Sequence, residues 1–225
     1  MQHAASDAAV DRRWAVLGLG GAALALVAIV VLAAWAAVDR TAGTADADGP
    51  AGGSSGEASS YAYPTVVPAP PLDLVDHSGR PFDLADLRGH PVLVFFGYTH
   101  CPDVCPATVG TVNRVLGDVG EAPRVLFVSI DPERDTPEAM AEYVRFLPDG
   151  YVGLTGNDVQ VRAAADGYRV SYAKVETGSE AGYAMAHTAE LYLIDPEGRL
   201  RFHYPFGTGE EIIAADVAAL LAERS

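Results

Sequence analysis

The sequence predicts an α/β fold in which a mixed central sheet is flanked by helices. Two continuous apolar segments, 91–96 and 124–130, are typical of strands buried on both faces. One helical segment separates them, at about residues 106–119, which makes a βαβ unit with a parallel strand pair. Near the end of the chain, apolar segments 191–194 and 200–204 flank a turn that contains Pro and Gly, and they therefore predict an antiparallel hairpin.

Three further helices complete the expected domain. Thr136 and Pro137 are an N-cap and a first helical residue, so a helix should begin there and end near Leu147. Two more helices are expected at about residues 157–168 and 209–222. A mixed sheet with helices on both faces and a terminal hairpin is a thioredoxin-like arrangement, here with an additional helical insertion, and we expect it to occupy residues 65–225.

The N-terminal part of the chain predicts a membrane anchor. No charged residue occurs from Ala15 to Val38, and at about 1.5 Å per residue such a helix crosses a hydrocarbon core of about 30 Å. The alternative is a cleaved signal peptide, whose apolar region is usually only about 7–15 residues long. Because Arg12 and Arg13 precede the span and only Arg40 follows closely, residues 1–14 should be cytoplasmic and the domain extracytoplasmic.

Residues 39–64 are expected to be a flexible linker. Up to Ser60 this segment has no large apolar side chain and consists mainly of Gly, Ala, Ser and Asp, a composition that cannot bury a core.

The formal charge of the chain is −15 and no basic cluster is present. Nucleic acid is therefore excluded as a partner, because phosphate binding needs clustered Lys and Arg.

The chain has two cysteines, Cys101 and Cys105, between the first buried strand and the helix that follows it. Pro106 fits the first turn of that helix, which places Cys105 near the N-cap and Cys101 in the preceding loop. Unpaired N–H groups and the helix dipole at this end favour anions, so we expect the pKa values of the thiols to fall.

Three interpretations of the cysteine pair can be compared. A disulfide that closes so short a loop would add only about 2 kcal/mol of stability, and a domain of this size does not need it. A metal site and a dithiol redox couple both remain open. The three residues between the cysteines, where thiol oxidoreductases of this fold use two, leave room for a soft ion.

Three separated segments, in the same order, closely resemble the Sco/SenC family of copper-binding thioredoxin-like proteins. They are FFGYTHCPDVCPATV around the cysteines, VSIDPERDTP at 128–137 and YAMAHTAELY at 183–192, and the resemblance extends over nearly all of residues 65–222. It implies that copper, as Cu(I) or Cu(II), is bound by Cys101, Cys105 and His187, and that the two cysteines can form a redox-active disulfide. Taken alone, His187 would be interpreted as a structural histidine. Thr188 stands where the family often has Ser.

The resemblance also implies a function. Family members deliver copper to the binuclear copper centre of cytochrome c oxidase subunit II from the outer side of a membrane, so we expect a membrane-anchored metallochaperone rather than an enzyme. Another copper chaperone or a thiol reductase would be a further partner. The alternative is a thiol-disulfide oxidoreductase that keeps the oxidase subunit cysteines reduced. A peroxide or copper-stress sensor ranks last, because no signalling module is visible.

Two thiolates and one imidazole suit Cu(I), which prefers soft ligands, whereas zinc usually takes four. The remaining histidines are weaker candidates: His3 precedes the predicted span, His77 and His90 lie in polar turns, and His203 belongs to a strand. His100 is adjacent to Cys101, but neighbouring side chains usually point in different directions. Asp131 is expected to shape the edge of the site or a partner surface, not to bind metal.

Overall fold

The computed structural model describes residues 61–119, 123–178 and 182–223. The predicted span at 15–38 and most of the predicted linker lie outside these ranges. Within them, no helix combines the length and the apolar character needed to cross a bilayer. The strands are β1 (Ala62–Pro68), β2 (Val75–Asp76), β3 (Val92–Gly97), β4 (Arg124–Ser129), β5 (Tyr151–Thr155), β6 (Tyr172–Glu176), β7 (Tyr183–His187), β8 (Glu190–Ile194) and β9 (Arg199–Pro205). The α-helices are α1 (Val104–Asp118), α2 (Pro137–Val144), α3 (Asp158–Gly167) and α4 (Glu210–Ala222).

Seven strands form one mixed sheet in the order β1-β9-β8-β3-β4-β5-β2. Strand β3 is parallel to β4 and antiparallel to β8, and β8 pairs with β9 as the predicted hairpin. All six residues of β3 are buried, as expected for the central strand of a sheet that is covered on both faces. The thioredoxin-like α/β prediction is therefore confirmed.

Helices cover both faces of this sheet. Apolar residues of α1, α2 and α4 share one core with Phe95 and Phe127, whose rings stack at 4.9 Å. The opposite core is covered by α3 and by the segment around Leu72 and Leu74, and it contains Phe96. The two cores follow from alternation along β3, because successive side chains point to opposite faces.

The part of the chain between β4 and β8 contains strands as well as the predicted helices. β5 extends the sheet next to β4, and β6 and β7 form a separate two-stranded antiparallel sheet. α1 begins at Val104, two residues earlier than predicted, with Asp103 as N-cap. Pro106 is tolerated there because the first N–H groups of a helix have no acceptor within the helix. α2 ends at Val144, three residues before the expected end.

Candidate metal centre

The two cysteines lie at the connection between the end of β3 and the start of α1. Cys105 is the second residue of α1 and is 2% exposed, whereas Cys101 lies in the preceding loop and is half-buried. The amide N–H of Cys105 donates to Cys101 Sγ at 3.3 Å, so the start of the helix faces this sulfur. Both cysteines are free thiols. Their predicted placement, one near the cap and one in the loop, is confirmed.

Gly97, the last residue of β3, makes room for the Cys105 thiol. A Cβ atom at this position would lie 2.6 Å from Cys105 Sγ and 2.9 Å from Phe127 Cε2, both closer than van der Waals contact allows. A side chain here would therefore displace the sulfur. The sequence analysis quoted Gly97 within its motif but did not identify this role.

The expected fall in thiol pKa is wrong for Cys105. Burial raises the pKa of its thiol well above the ordinary value, and the hydrogen bond with Cys101 raises it further. The helix dipole alone suggested the opposite direction, but desolvation disfavours a thiolate more strongly at a fully buried position. Any metal bound there must replace the proton, because a thiolate and not a thiol is the ligand.

His187 reaches the cysteines from β7, where it is the last residue of the strand. The ligand atoms of Cys101, Cys105 and His187 all lie within 4.8 Å of one another. An ion about 2.3 Å from a thiolate sulfur and about 2.0 Å from an imidazole nitrogen holds its ligands within about 4.6 Å of each other. The three side chains are thus arranged as a metal site requires.

Neighbouring groups orient the imidazole. Nδ1 of His187 lies 3.0 Å from the carbonyl oxygen of Thr188, which can only accept, so Nδ1 carries the proton and Nε2 keeps its lone pair for a ligand. The ring of Tyr98, itself 3% exposed, meets the His187 ring edge-on at 6.2 Å. Tyr98 thus fills the space between the cysteine loop and β7.

The other candidate histidines lie apart from this group. Nδ1 of His100 lies 3.0 Å from the Thr99 hydroxyl, and His77 accepts a hydrogen bond from the amide of Gly153. His203 Nδ1 lies 3.7 Å from a Glu190 oxygen. Across the described residues, the group of Cys101, Cys105 and His187 is the one set of three His, Cys, Asp or Glu side chains close enough to share an ion.

Asp131, which we expected to shape the edge of the site or a partner surface, is buried next to the strand that carries His187 and is outside the ligand group. It is 2% exposed, pairs with Arg134 at 2.5 Å and accepts a hydrogen bond from the Tyr183 hydroxyl at 2.8 Å. Nearby, Asp135 is fully buried and accepts hydrogen bonds from Thr99 and Ser129. Arg134 and Asp135 were not among the predicted site residues. Their signal was a run of charged residues directly after β4, because parallel neighbours such as β3 and β4 end at the same edge of the sheet.

Comparison with known proteins agrees with this geometry. Residues 66–222 match the SCO1/SenC family model. An SCO2-like protein of Rickettsia prowazekii is 34% identical over 60% of this chain and 67% of its own length. The mitochondrial SCO2 homologue of Homo sapiens is 36% identical over 66% of this chain, and the match spans only 58% of the human protein.

A solved structure extends the comparison to three dimensions. Bradyrhizobium japonicum ScoI, whose structure has copper bound, is 36% identical and superposes with a TM-score of 0.61 over 68% of this chain and 99% of its own. The family model covers well over half of the chain, and strands β2 to β9, the cysteine loop and His187 are all within the matched region. The chain belongs to the SCO1/SenC family.

Proposed function

We propose that this protein is a membrane-anchored copper chaperone that holds copper with Cys101, Cys105 and His187 and delivers it to the binuclear centre of cytochrome c oxidase subunit II. The observation that carries the proposal is the convergence of two sulfurs and one imidazole nitrogen within 4.8 Å. The copper-bound state of the similar B. japonicum protein supports copper as the cargo.

The donor set explains why copper would be preferred. Thiolate and imidazole are the soft ligands that Cu(I) favours, and hard cations such as Mg²⁺ select oxygen instead. Three ligands leave the ion open on one side. Because Cys101 and His187 are only half-buried, an acceptor ligand can approach that side, which a donor of copper needs.

Anchoring rests on the N-terminal sequence. The uncharged segment 15–38 is long enough to span a bilayer, and the bias of Arg12 and Arg13 over Arg40 puts the domain on the extracytoplasmic side of the cell membrane. We propose residues 39–64 as a tether that lets the domain, residues 65–225, reach an oxidase subunit embedded in the same membrane.

A histidine substitution tests the carrier function. Changing His187 to Ala removes one of three ligands but leaves both thiols, so copper affinity and rescue of oxidase assembly should fall severely while thiol titration and disulfide exchange persist. His203→Ala is the matched control, since it removes an imidazole from β9 that is outside the ligand group. Full oxidase activity of the His187→Ala protein at limiting copper would reject the carrier function.

The exposures of the cysteines favour a second candidate, a thiol-disulfide oxidoreductase that reduces the oxidase subunit cysteines. Cys101 is accessible while Cys105 is buried beside it, so a mixed disulfide on Cys101 could be resolved by Cys105. In that case the His187→Ala protein would still support oxidase assembly, whereas a Cys105→Ser protein would not.

The two functions use the same sulfurs in different states. A Cys101–Cys105 disulfide removes both thiolates, so we predict that the oxidised protein leaves dialysis nearly free of copper while the reduced protein retains one equivalent. Metal analysis paired with thiol titration checks this. Stoichiometric copper in protein without titratable thiols would show that the ligands lie elsewhere.

A further inference from the structure

The copper site is assembled from two parts of the fold that share no sheet. Cys101 and Cys105 follow β3 in the seven-stranded sheet, whereas His187 belongs to the separate hairpin of β6 and β7. The distance between the imidazole and the sulfurs therefore depends on whatever fixes this hairpin against the body of the domain.

Residues 131–135, which follow β4, make that attachment through a buried ion pair. Arg134 Nη1 donates to the carbonyl oxygen of Tyr183, the first residue of β7, at 3.1 Å, and its guanidinium carbon lies 3.8 Å from the centre of the Tyr183 ring. Asp131 holds the same guanidinium through Nε and accepts from the Tyr183 hydroxyl at 2.8 Å. Tyr183, at the start of β7, is thereby bound at its backbone carbonyl, its ring and its hydroxyl.

A second ion pair to the hairpin contributes less. Lys174 Nζ lies 2.5 Å from a Glu133 oxygen, but the side chains are 41% and 66% exposed, and exposed pairs add little stability. The Arg134 and Asp131 side chains are 19% and 2% exposed. Of the two ion pairs that reach the hairpin, the buried one is therefore the stronger constraint, and it acts beside the packing of Tyr172 and Met185 against the core.

The same segment also holds the cysteine loop. Asp135 accepts hydrogen bonds from the Thr99 hydroxyl at 2.6 Å and from the Thr99 amide at 3.1 Å, two residues before Cys101. Arg134 additionally lies 5.6 Å from the ring centre of Tyr98, whose edge contact with His187 spans the two parts. Segment 131–135 therefore contacts both the loop that carries the cysteines and the hairpin that carries His187.

We propose that Arg134, held by Asp131, is a positioning residue that sets the place of His187 relative to the two sulfurs. The inference rests on the copper site proposed above and adds a residue that binds no metal itself. Arg134 acts on His187 indirectly, through Tyr183 at the other end of β7 and through Tyr98, whose ring meets the imidazole edge-on. Loss of a direct partner of a metal ligand typically changes metal affinity about 10–100-fold, so we expect the effect of Arg134 to lie at the lower end of that range.

A double-mutant cycle tests this role with Arg134→Gln, His187→Ala and the protein that carries both. The Cu(I) dissociation constant, measured by competition with a chelator of known affinity, should rise about tenfold for Arg134→Gln. In the His187→Ala background the same change should have almost no effect, because the group that Arg134 positions is already gone. Independent fold-changes that multiply would overturn the proposal, since they would show a general effect on stability.

A spectroscopic readout separates positioning from folding. In the Cu(II) form, Arg134→Gln should weaken the hyperfine coupling of the imidazole nitrogen in electron paramagnetic resonance, whereas His187→Ala should abolish it. Arg134→Lys keeps a cation beside Asp131, but an ammonium cannot contact both the carbonyl oxygen and the ring of Tyr183 as the guanidinium does. This variant should therefore have an intermediate copper affinity. It also serves where the Gln variant does not fold. The inference would be contradicted if the Lys variant kept the wild-type imidazole coupling and copper affinity and the Gln variant folded and kept them as well.

Arg201→Gln is the matched control. Arg201 is 18% exposed and pairs with the fully buried Asp195, as Arg134 does with Asp131. It lies at the opposite end of the sheet, since Ile194 pairs with Val92, the residue of β3 farthest from the cysteines. This variant should lose stability but keep wild-type copper affinity. If His187→Ala leaves the copper affinity unchanged, the proposed ligand set is wrong, and so is this inference. If His187→Ala lowers the copper affinity but Arg134→Gln does not, only the role of Arg134 is refuted.

Discussion

At the scale of single residues, the absence of one side chain is as important to the site as the ligands. Gly97→Ala would bring a methyl group within 2.6 Å of Cys105 Sγ and 2.9 Å of the Phe127 ring. Neither neighbour can retreat easily, because both are buried in the core. We predict a loss of about 1–3 kcal/mol in the free energy of unfolding and a copper affinity at least tenfold lower, measured by denaturant unfolding and chelator competition.

Gly110→Ala is the control for this change. Gly110 is inside α1, and a Cβ there would meet only Arg114 Nη1, at an ordinary contact distance of 3.6 Å. Alanine should therefore stabilise the helix by about 0.5–1 kcal/mol without altering copper binding. Equal copper affinities in the two alanine variants would remove the argument that Gly97 makes room for the thiol.

At the scale of elements, the sequence predicted those with strong local patterns. Buried β3 and β4, helix α2 with its Thr136 cap, helix α3 and the β8–β9 hairpin were all expected. The β6–β7 hairpin was not, because none of its residues is buried and they lack the apolar alternation that identifies a half-buried strand. His187 therefore came from the family resemblance, whereas the cysteines were recognisable from spacing and helix position.

The turn after β2 allows a prediction of pH dependence. Burial by itself would raise the pKa of Asp76, but hydrogen bonds from Ser78 and Arg80 outweigh it and lower the pKa to about 2. A carboxyl with a depressed pKa contributes stability above its unfolded value of about 3.9 and loses it as the pH falls toward 2. Asp76→Asn should thus cost about 1 kcal/mol at pH 7 and almost nothing at pH 2.

Thermal melts of both proteins at the two pH values test this. Asp83→Asn is a suitable control, since Asp83 is exposed, accepts one hydrogen bond from the Ala85 amide, and Asn caps a helix as well as Asp does. If Asp76→Asn is less stable than the original protein by the same amount at pH 7 and at pH 2, the charge of Asp76 does not contribute to stability.

At the scale of the whole molecule, function depends on where the domain is held as well as on its metal site. A copper donor must face the same compartment as its acceptor, and the distribution of Arg residues around segment 15–38 predicts an extracytoplasmic domain. If the proposed function holds, the copper ligands and the predicted anchor serve one event, the presentation of copper to an oxidase subunit.

The orientation itself gives the last prediction. A reporter enzyme that is active only outside the cytoplasm, fused after Ser225, should be active, because Arg12 and Arg13 outweigh Arg40. Changing Arg12 and Arg13 to Asn and Asp39 to Lys reverses the bias without altering the apolar segment, so reporter activity should fall while membrane association persists. Reporter activity in the original protein confined to the cytoplasm would contradict the orientation, and with it the delivery of copper to an outward-facing oxidase centre. Fractionation of both fusions with an antibody to the reporter shows whether the change lies in orientation or in anchoring.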